Sequence, residues 1–512
     1  MFAILFGQVA GLARGILVAR AFGASSELDA FFAANRVSET LFLLIAGGAL
    51  GSAFLPTFAG LLARAETDSA WRLASALANT VTLTLSLFAI LLAIYAPQVV
   101  RYALASGFSE KPELFALTVS LLRIQLISAV LFGLGGLIGS ILNAHQAFLV
   151  PALTPAMYQL GIIFGTLVLA PSMGIYGLAW GVVIGAALYV VLQIPSSLRL
   201  RASFKSPSTD RWSLGLNDPN VRKVFLLMGP RLLGVAVVQL NFWVNTNLAS
   251  HMDDGSVASL TYGFSLMIMA QAAIAQSIAI AALPTFSAQH ALGKTDEMRA
   301  SLAASLRGIL MLALPASIGL MLLREPLISF LYQRGEFDAH DVQLTAWALL
   351  WYAAGLVGHS LMEILTRAFY AQHDTKTPVI VGTVAMTLNI LFSFLFSNLF
   401  AQIGWFPLGG LALANSLATA LEATALFIFM RNRLNGIEGK AIADGTWRVA
   451  LSALGMAIGL MFWIQATPNM MRWVVTLGGV ALGGMIYGIA LIALRVPEVQ
   501  SVIQFARRKL RS

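Results

Sequence analysis

Leu55-Pro56-Thr57-Phe58 is followed, 228 residues later, by Leu283-Pro284-Thr285-Phe286. Asp68 and Asp296 keep that offset. Ala144-His145-Gln146, ahead of Pro151, parallels Tyr370-Ala371-Gln372, ahead of Pro378. Gly177-Leu178-Ala179 parallels Gly410-Leu411-Ala412. Matches in one order at nearly one spacing predict a duplicated chain rather than a chance likeness between apolar segments.

What is duplicated is a series of apolar runs, each near the roughly 20 residues that a helix needs to cross the hydrocarbon core. The first copy holds runs at 1–22, 30–61, 73–96, 115–142, 151–170 and 174–197. The second holds 224–249, 257–285, 302–323, 342–369, 379–400 and 406–430, and 448–465 and 473–494 lie beyond both. The runs do not alternate polar with apolar, which excludes a β-barrel. The expectation is an all-α polytopic membrane protein of about 14 transmembrane helices. Each copy has an even number of spans, so two six-helix lobes should be related by a pseudo-twofold along the membrane normal, plus two C-terminal helices. The expected segments are an N-terminal lobe at 1–197, a linker at 198–223, a second lobe at 224–431, two extra helices at 446–494 and a basic tail at 495–512.

Composition agrees. The 512 residues are 58% hydrophobic and only 11% charged, against roughly 25% charged in soluble domains. A soluble globule and a disordered chain are both excluded. The absence of cysteine removes disulfides, thiolate catalysis and cysteine-ligated metals. The net charge of +9 is a topology signal rather than a nucleic-acid footprint. Twenty-one Lys and Arg fall in loops on one side of the predicted spans and five on the other. The rich side is therefore expected to be cytoplasmic, with both termini on it.

Ionisable residues inside spans are costly and so are functional candidates. The first two runs contain Arg14, Arg20, Asp29, Arg36 and Glu39. Arg14 and Arg36 are expected to line a cavity, because a guanidinium suits bidentate contact with phosphate. Arg20 and Asp29 are expected to pair and tie two helix ends together. In the second copy His359, Glu363 and Arg367 recur every four residues, as a salt-bridge stripe or as a relay. Glu422 stands alone in its span. Asn241, Asn245, Asn389 and Ser393 could offer oxygens to Na⁺ or bond between helices. Gly7/Gly11/Gly15, Gly135/Gly139 and Gly181/Gly185 suit close helix packing. Gly293-Lys294-Thr295 lacks the upstream glycine of a phosphate-binding loop, and no zinc-protease motif is present. The chain is not expected to be an enzyme.

Gly11-Leu12-Ala13-Arg14, Val18-Ala19-Arg20-Ala21-Phe22-Gly23 and Asp29-Ala30-Phe31-Phe32 resemble the first-span signature of the MurJ/MviN family. Gly48-Ala49-Leu50 through Ala53-Phe54-Leu55-Pro56 resembles its second span. Thr366-Arg367-Ala368-Phe369-Tyr370-Ala371 with Asp374-Thr375-Lys376-Thr377-Pro378 is similar to its tenth-span motif. The resemblance implies a lipid II flippase of the superfamily that includes MATE exporters. It implies a cationic cavity, with Arg14 matching an essential arginine, Asp29 an outer-end aspartate and Arg36 a second-span basic position. The expected substrate is a lipid-linked peptidoglycan precursor, moved by alternating access across the cytoplasmic membrane. Na⁺ or H⁺ is the expected coupling ion. Membrane lipids and the cell-wall synthesis machinery are the expected partners, and nucleic acid is not one.

Departures from the family pattern keep other substrates open. Gln8 and Ser265 stand where the family carries arginine, and Ser38-Glu39-Thr40-Leu41-Phe42 replaces a stretch ending in another. Arg231 is extra and is a candidate to replace the lost charge at the substrate. The alternatives are a flippase for another polyprenyl-pyrophosphate-linked oligosaccharide and a cation-coupled small-molecule exporter of the MATE kind. A membrane scaffold is the non-transporting rival.

Overall fold

In the computed structural model, which describes residues 2–44, 53–203, 214–215 and 218–500, every element is helical. In lipid only a helix or a closed barrel satisfies its own backbone, and the continuously apolar runs leave the helix. Two compact units result: Met1–Ala258 with Arg334–Phe337, and Ser259–Gln333 with Asp338–Ser512.

The first unit begins with α1 (Phe2–Phe22), α2 (Ser26–Phe42), α3 (Leu55–Ala63) and α4 (Thr67–Ile94). A short α5 (Ala96–Val99), a π-helical turn at Val100–Leu104 and a 3-10 turn at Ser106–Glu110 lead into α6 (Pro112–Ala144). Then come α7 (Leu149–Phe164), α8 (Ala170–Met173), α9 (Ile175–Val191), α10 (Ile194–Ser203) and α11 (Pro219–Ala249). The Ser25 hydroxyl accepts from Leu28 N–H at 3.3 Å and caps α2. Gly181 and Gly185 on α9 lie against the backbone of Gly165 and Gly161, where a Cβ would collide. The GxxxG expectation thus holds at that crossing. Gly135 instead makes room for the Tyr189 ring.

Next is α12 (Ser256–Gln271), whose first residues belong to the first unit. The second unit continues with α13 (Ser277–Ala291), α14 (Thr295–Leu322), α15 (Arg324–Tyr332), α16 (Ala339–Ala371), α17 (Lys376–Gln402) and α18 (Leu408–Arg433). It ends with α19 (Gly439–Ala466) and α20 (Arg472–Ala493). Its core gathers Phe286, Leu302, Leu306, Ile309, Phe369 and Met430 from α13, α14, α16 and α18. The last two helices pack on each other and on α14, where the Tyr487 hydroxyl donates to Met311 O at 2.6 Å.

The duplication is written in the helix lengths. Both α4 and α14 have 28 residues, and both α6 and α16 have 33. Left-handed backbone recurs too, at Ala65 (φ 60°) and Gly293 (φ 68°) before α4 and α14, and at Gln146 (φ 60°) and His373 (φ 58°) after α6 and α16. Compactness draws its boundary later than the predicted linker. The helix after that linker, α11, packs with α2, α4 and the 100–110 turns inside the first unit. Residues 204–213 and 216–217 of the linker and 501–512 of the tail lie outside the described residues.

Eleven helices among the described residues are long and apolar enough to cross a membrane, and they coincide with eleven of the predicted runs. Runs 1–22 and 224–249 are occupied by α1 and α11. At about 1.5 Å per residue, the 21 residues of α1 extend about 31 Å. Within run 30–61, α2 ends at Phe42 and α3 starts at Leu55, and residues 45–52 between them lie outside the described residues. The full count of fourteen is therefore not established.

Candidate functional site

The candidate charges of the first unit, Arg14, Arg20, Asp29, Arg36 and Glu39, sit on α1 and α2. Arg14 is half-buried on α1 and, among the described residues, forms no ion pair. The Tyr158 hydroxyl on α7 feels the charges of both Arg14 and Glu39. On α2, Arg36 Nη1 donates to Glu39 Oε2 at 3.0 Å, with the two side chains 19% and 43% exposed. The Arg36 guanidinium carbon lies 4.9 Å from the Phe242 ring centre on α11, a cation–π contact. Its Nε is buried without a hydrogen-bond partner among the described residues. One turn on, Thr40 Oγ1 has acceptors at Arg36 O (2.7 Å) and Gln239 Oε1 (3.2 Å), and it accepts from Trp243 Nε1 at 2.9 Å. One hydroxyl proton serves either acceptor. Thr40 thereby joins α2 to α11 beside Arg36. Gln239, Trp243 and Tyr158 carry no charge or motif and were not foreseen.

Asp29 does not pair with Arg20. Its carboxylate is buried and accepts from Gly255 N–H at Oδ2 and from Ala258 N–H at Oδ1, both at 2.7 Å. Those amides begin α12, where the helix dipole favours an anion. The predicted ion pair fails because unsatisfied main-chain donors compete better than an exposed arginine. The Arg20 side chain is exposed without an ion pair among the described residues, while its carbonyl accepts from Glu336 N–H at 3.1 Å. Around the Asp29 clasp, Lys111 Nζ meets Asp254 Oδ1 at 2.6 Å and Gly107 N–H donates to Ser250 Oγ at 3.0 Å. Gly255 and Gly335 have φ of 86° and 62°, and a Cβ on them would strike the carbonyls of Ala24 and Arg20. The partners that Asp29 takes here are main-chain amides, which is why no side-chain motif announced them.

In the second unit the four-residue stripe on α16 splits. His359 Nε2 lies 3.0 Å from Asn415 Oδ1 on α18, whereas Glu363 closes on Arg367 at 2.8 Å. No hydrogen bond joins His359 to Glu363 among the described residues. Asn245 donates to Asn241 at 3.2 Å in the first unit, and Ser393 to Asn389 at 3.1 Å in the second. Each of those contacts spans one helical turn. The side chain of Arg231 on α11 lies outside the described residues. At the end of α16, Asp374 accepts from Thr377 N–H and Thr377 Oγ1 and meets Arg433 Nη1 at 2.7 Å. Burial works against its charged form, but those donors and the Arg433 charge outweigh it and hold the carboxyl at about 2.

Residues 18–477 match the family profile described as Lipid II flippase MurJ. The chain belongs to that family. A lipid II flippase MurJ of Burkholderia cenocepacia is 32% identical over 90% of this chain and 87% of its own length. A probable lipid II flippase MurJ of Vibrio cholerae is 28% identical over 94% of this chain and 91% of its own. A solved lipid II flippase MurJ in an inward closed conformation superposes with a TM-score of 0.80 at 25% identity, covering 96% of this chain and 98% of its own. An inward-facing MATE family multidrug resistance transporter of the MOP superfamily shares the fold alone, with a TM-score of 0.68 at 15% identity over 84% of this chain and 94% of its own. Apolar helices and family together make the chain a multi-pass protein of the inner membrane.

Within the MurJ family frame, the positions singled out by resemblance take different forms. Arg14 has no ion pair among the described residues, Arg36 is held by Glu39 and Phe242, and Asp29 is bound to the start of α12.

Proposed function

We propose that this chain translocates lipid II from the inner to the outer leaflet by alternating access, with no chemical step. The observation that supports this reading best is Arg14. A half-buried guanidinium on a membrane helix, with no counter-ion among the described residues, is costly unless an anion visits it. A pyrophosphate suits it, since arginine grips such oxygens bidentately. Arg36 is the second contact, released when substrate oxygens displace the partly exposed Glu39, and Arg231 is a third. Both termini face the cytoplasm, on the loop side that carries 21 of the Lys and Arg. The Asp29 clasp then closes the outer end, and it opens to release the head group. Outward movement of negative charge gains about 2.3 kcal/mol per charge per 100 mV of inside-negative potential.

The test is growth of a strain depleted of its own lipid II flippase, together with lipid II movement in vesicles holding the purified chain. Restored growth and protein-dependent flipping are expected. A second reading, a flippase for another polyprenyl-pyrophosphate-linked oligosaccharide, draws on Gln8 and Ser265 where the family carries arginine. Movement of such a lipid without movement of lipid II would favour it.

A further inference from the structure

The apolar length of α18 contains a carboxylate, and the site around α1 and α2 does not use it. Glu422 is 8% exposed and, among the described residues, makes no hydrogen bond and no ion pair. It faces α17 at Gly382, where a Cβ would stand 3.1 Å from Glu422 Oε1, so the neighbouring helix offers the acid bare backbone. One turn earlier on the same face, Thr419 Oγ1 is buried without a partner among the described residues, and so is Ser360 Oγ on α16.

Among the described residues, the helices packed on α18 supply Glu422 with no counter-charge. Between Thr377 and Gln402, α17 carries no titratable residue. On α16, His359 is bonded to Asn415 and Glu363 to Arg367. A carboxylate removed from water without a cation or donors is among the most expensive groups to bury, and a bound proton removes that cost. Ionisable groups inside membrane helices are for this reason typically functional.

We infer that Glu422 is a proton-binding site of the second unit and that its proton couples transport to the proton gradient. The coupling half rests on the flippase reading; the binding half does not. The step is a simple dissociation, Glu422–CO₂H to Glu422–CO₂⁻ and H⁺. Release leaves a charge that no neighbour on α16 or α17 compensates, so it requires water to enter between α17 and α18 at Gly382. Proton occupancy and the packing of these two helices are then linked.

Two measurements on the full-length chain in phosphatidylethanolamine–phosphatidylglycerol vesicles test this. In the infrared spectrum at neutral pH, wild type should show a protonated-acid carbonyl band that Glu422→Gln removes and Glu363→Gln leaves. Glu422→Asp, which keeps an acid if Glu422→Gln fails to fold, should retain a shifted band. A difference spectrum between wild type and Glu422→Gln that lacks this band overturns the site. In the second measurement, lipid II flipping is followed under a gradient of about one pH unit. Reversing the gradient, a span of two pH units, should change the wild-type rate by up to about a hundredfold. Glu422→Gln should flip at a rate that the direction of the gradient no longer changes. Wild-type flipping that ignores the gradient overturns the coupling and leaves the flippase reading standing. An absence of lipid II flipping in wild type overturns that reading, while the infrared result still decides the site.

Discussion

Asp29 Oδ1 receives the main-chain N–H of Ala258 at 2.7 Å, across 229 residues of chain. With Gly255 N–H on its other oxygen, the carboxylate holds the start of α12 against α2. Hydrogen bonds to charged groups contribute about 1.5–3 kcal/mol each. Asp29→Ala should therefore destabilise the detergent-solubilised protein by about 3 kcal/mol, and Asp29→Asn by less, read as the shift in thermal unfolding. Arg20→Ala should leave stability nearly unchanged. A large loss from Arg20→Ala would restore the ion pair that the geometry denies.

Arg14→Ala is expected to abolish growth of a flippase-depleted strain without loss of membrane-inserted protein. Arg14→Lys should recover only part of the activity, because an ammonium is a point charge and cannot grip a pyrophosphate bidentately. Full activity in Arg14→Lys would show that charge alone suffices at this position.

Glu39→Gln separates holding Arg36 from using it. The Arg36–Glu39 pair is half-exposed on the glutamate side, and such pairs contribute about 0–1 kcal/mol. Unfolding of Glu39→Gln should stay close to wild type, while lipid II binding tightens because Arg36 no longer has a resident anion. Weaker binding in Glu39→Gln would mean that the glutamate itself contacts the head group.

Two glycines with similar backbone should respond differently to alanine. Gly335 is left-handed and its missing Cβ faces the Arg20 carbonyl; Gly293 is left-handed with open space around it. Gly293→Ala should cost only the left-handed penalty of about 1–2 kcal/mol, as Ala65 already does at the equivalent turn of the first copy. Gly335→Ala should cost distinctly more and should loosen the junction with Arg20. Proteolysis or cysteine labelling at the 334–337 turn reads this directly.

Asp374 gives the pH dependence a sign. Its carboxyl is held near 2 against an ordinary value of 3.8. A depressed carboxyl contributes stability that is present above the ordinary value and lost as pH falls through the folded one. Thermal unfolding of wild type should drop between about pH 4 and 2. Asp374→Asn should start lower and flatten that part of the curve.

The helical class, the duplication and the multi-pass character were legible in the sequence. Each depends on sums over many residues: apolar runs must satisfy their own backbone in lipid, and a repeat offset survives any local error. The matched lengths of α4 with α14 and of α6 with α16 follow from it. Arg14 and Arg36 were legible as candidates because charge in a membrane span is rare. Their surroundings were not. Arg36 meets Phe242, Thr40 meets Gln239 and Trp243, and Asp29 meets amides at Gly255 and Ala258, all about 200 residues away. The His359 stripe shows the same limit from the other side. Spacing puts three groups on one helix face, but the choice between Glu363 and Asn415 as the partner of His359 belongs to the packing of α16 on α18. Sequence decided which charges the membrane helices carry, since insertion cost depends on residue type and place in the run. Only tertiary structure decided what each charge faces, since a hydrogen bond requires donor and acceptor within about 3 Å and folding alone brings distant residues that close.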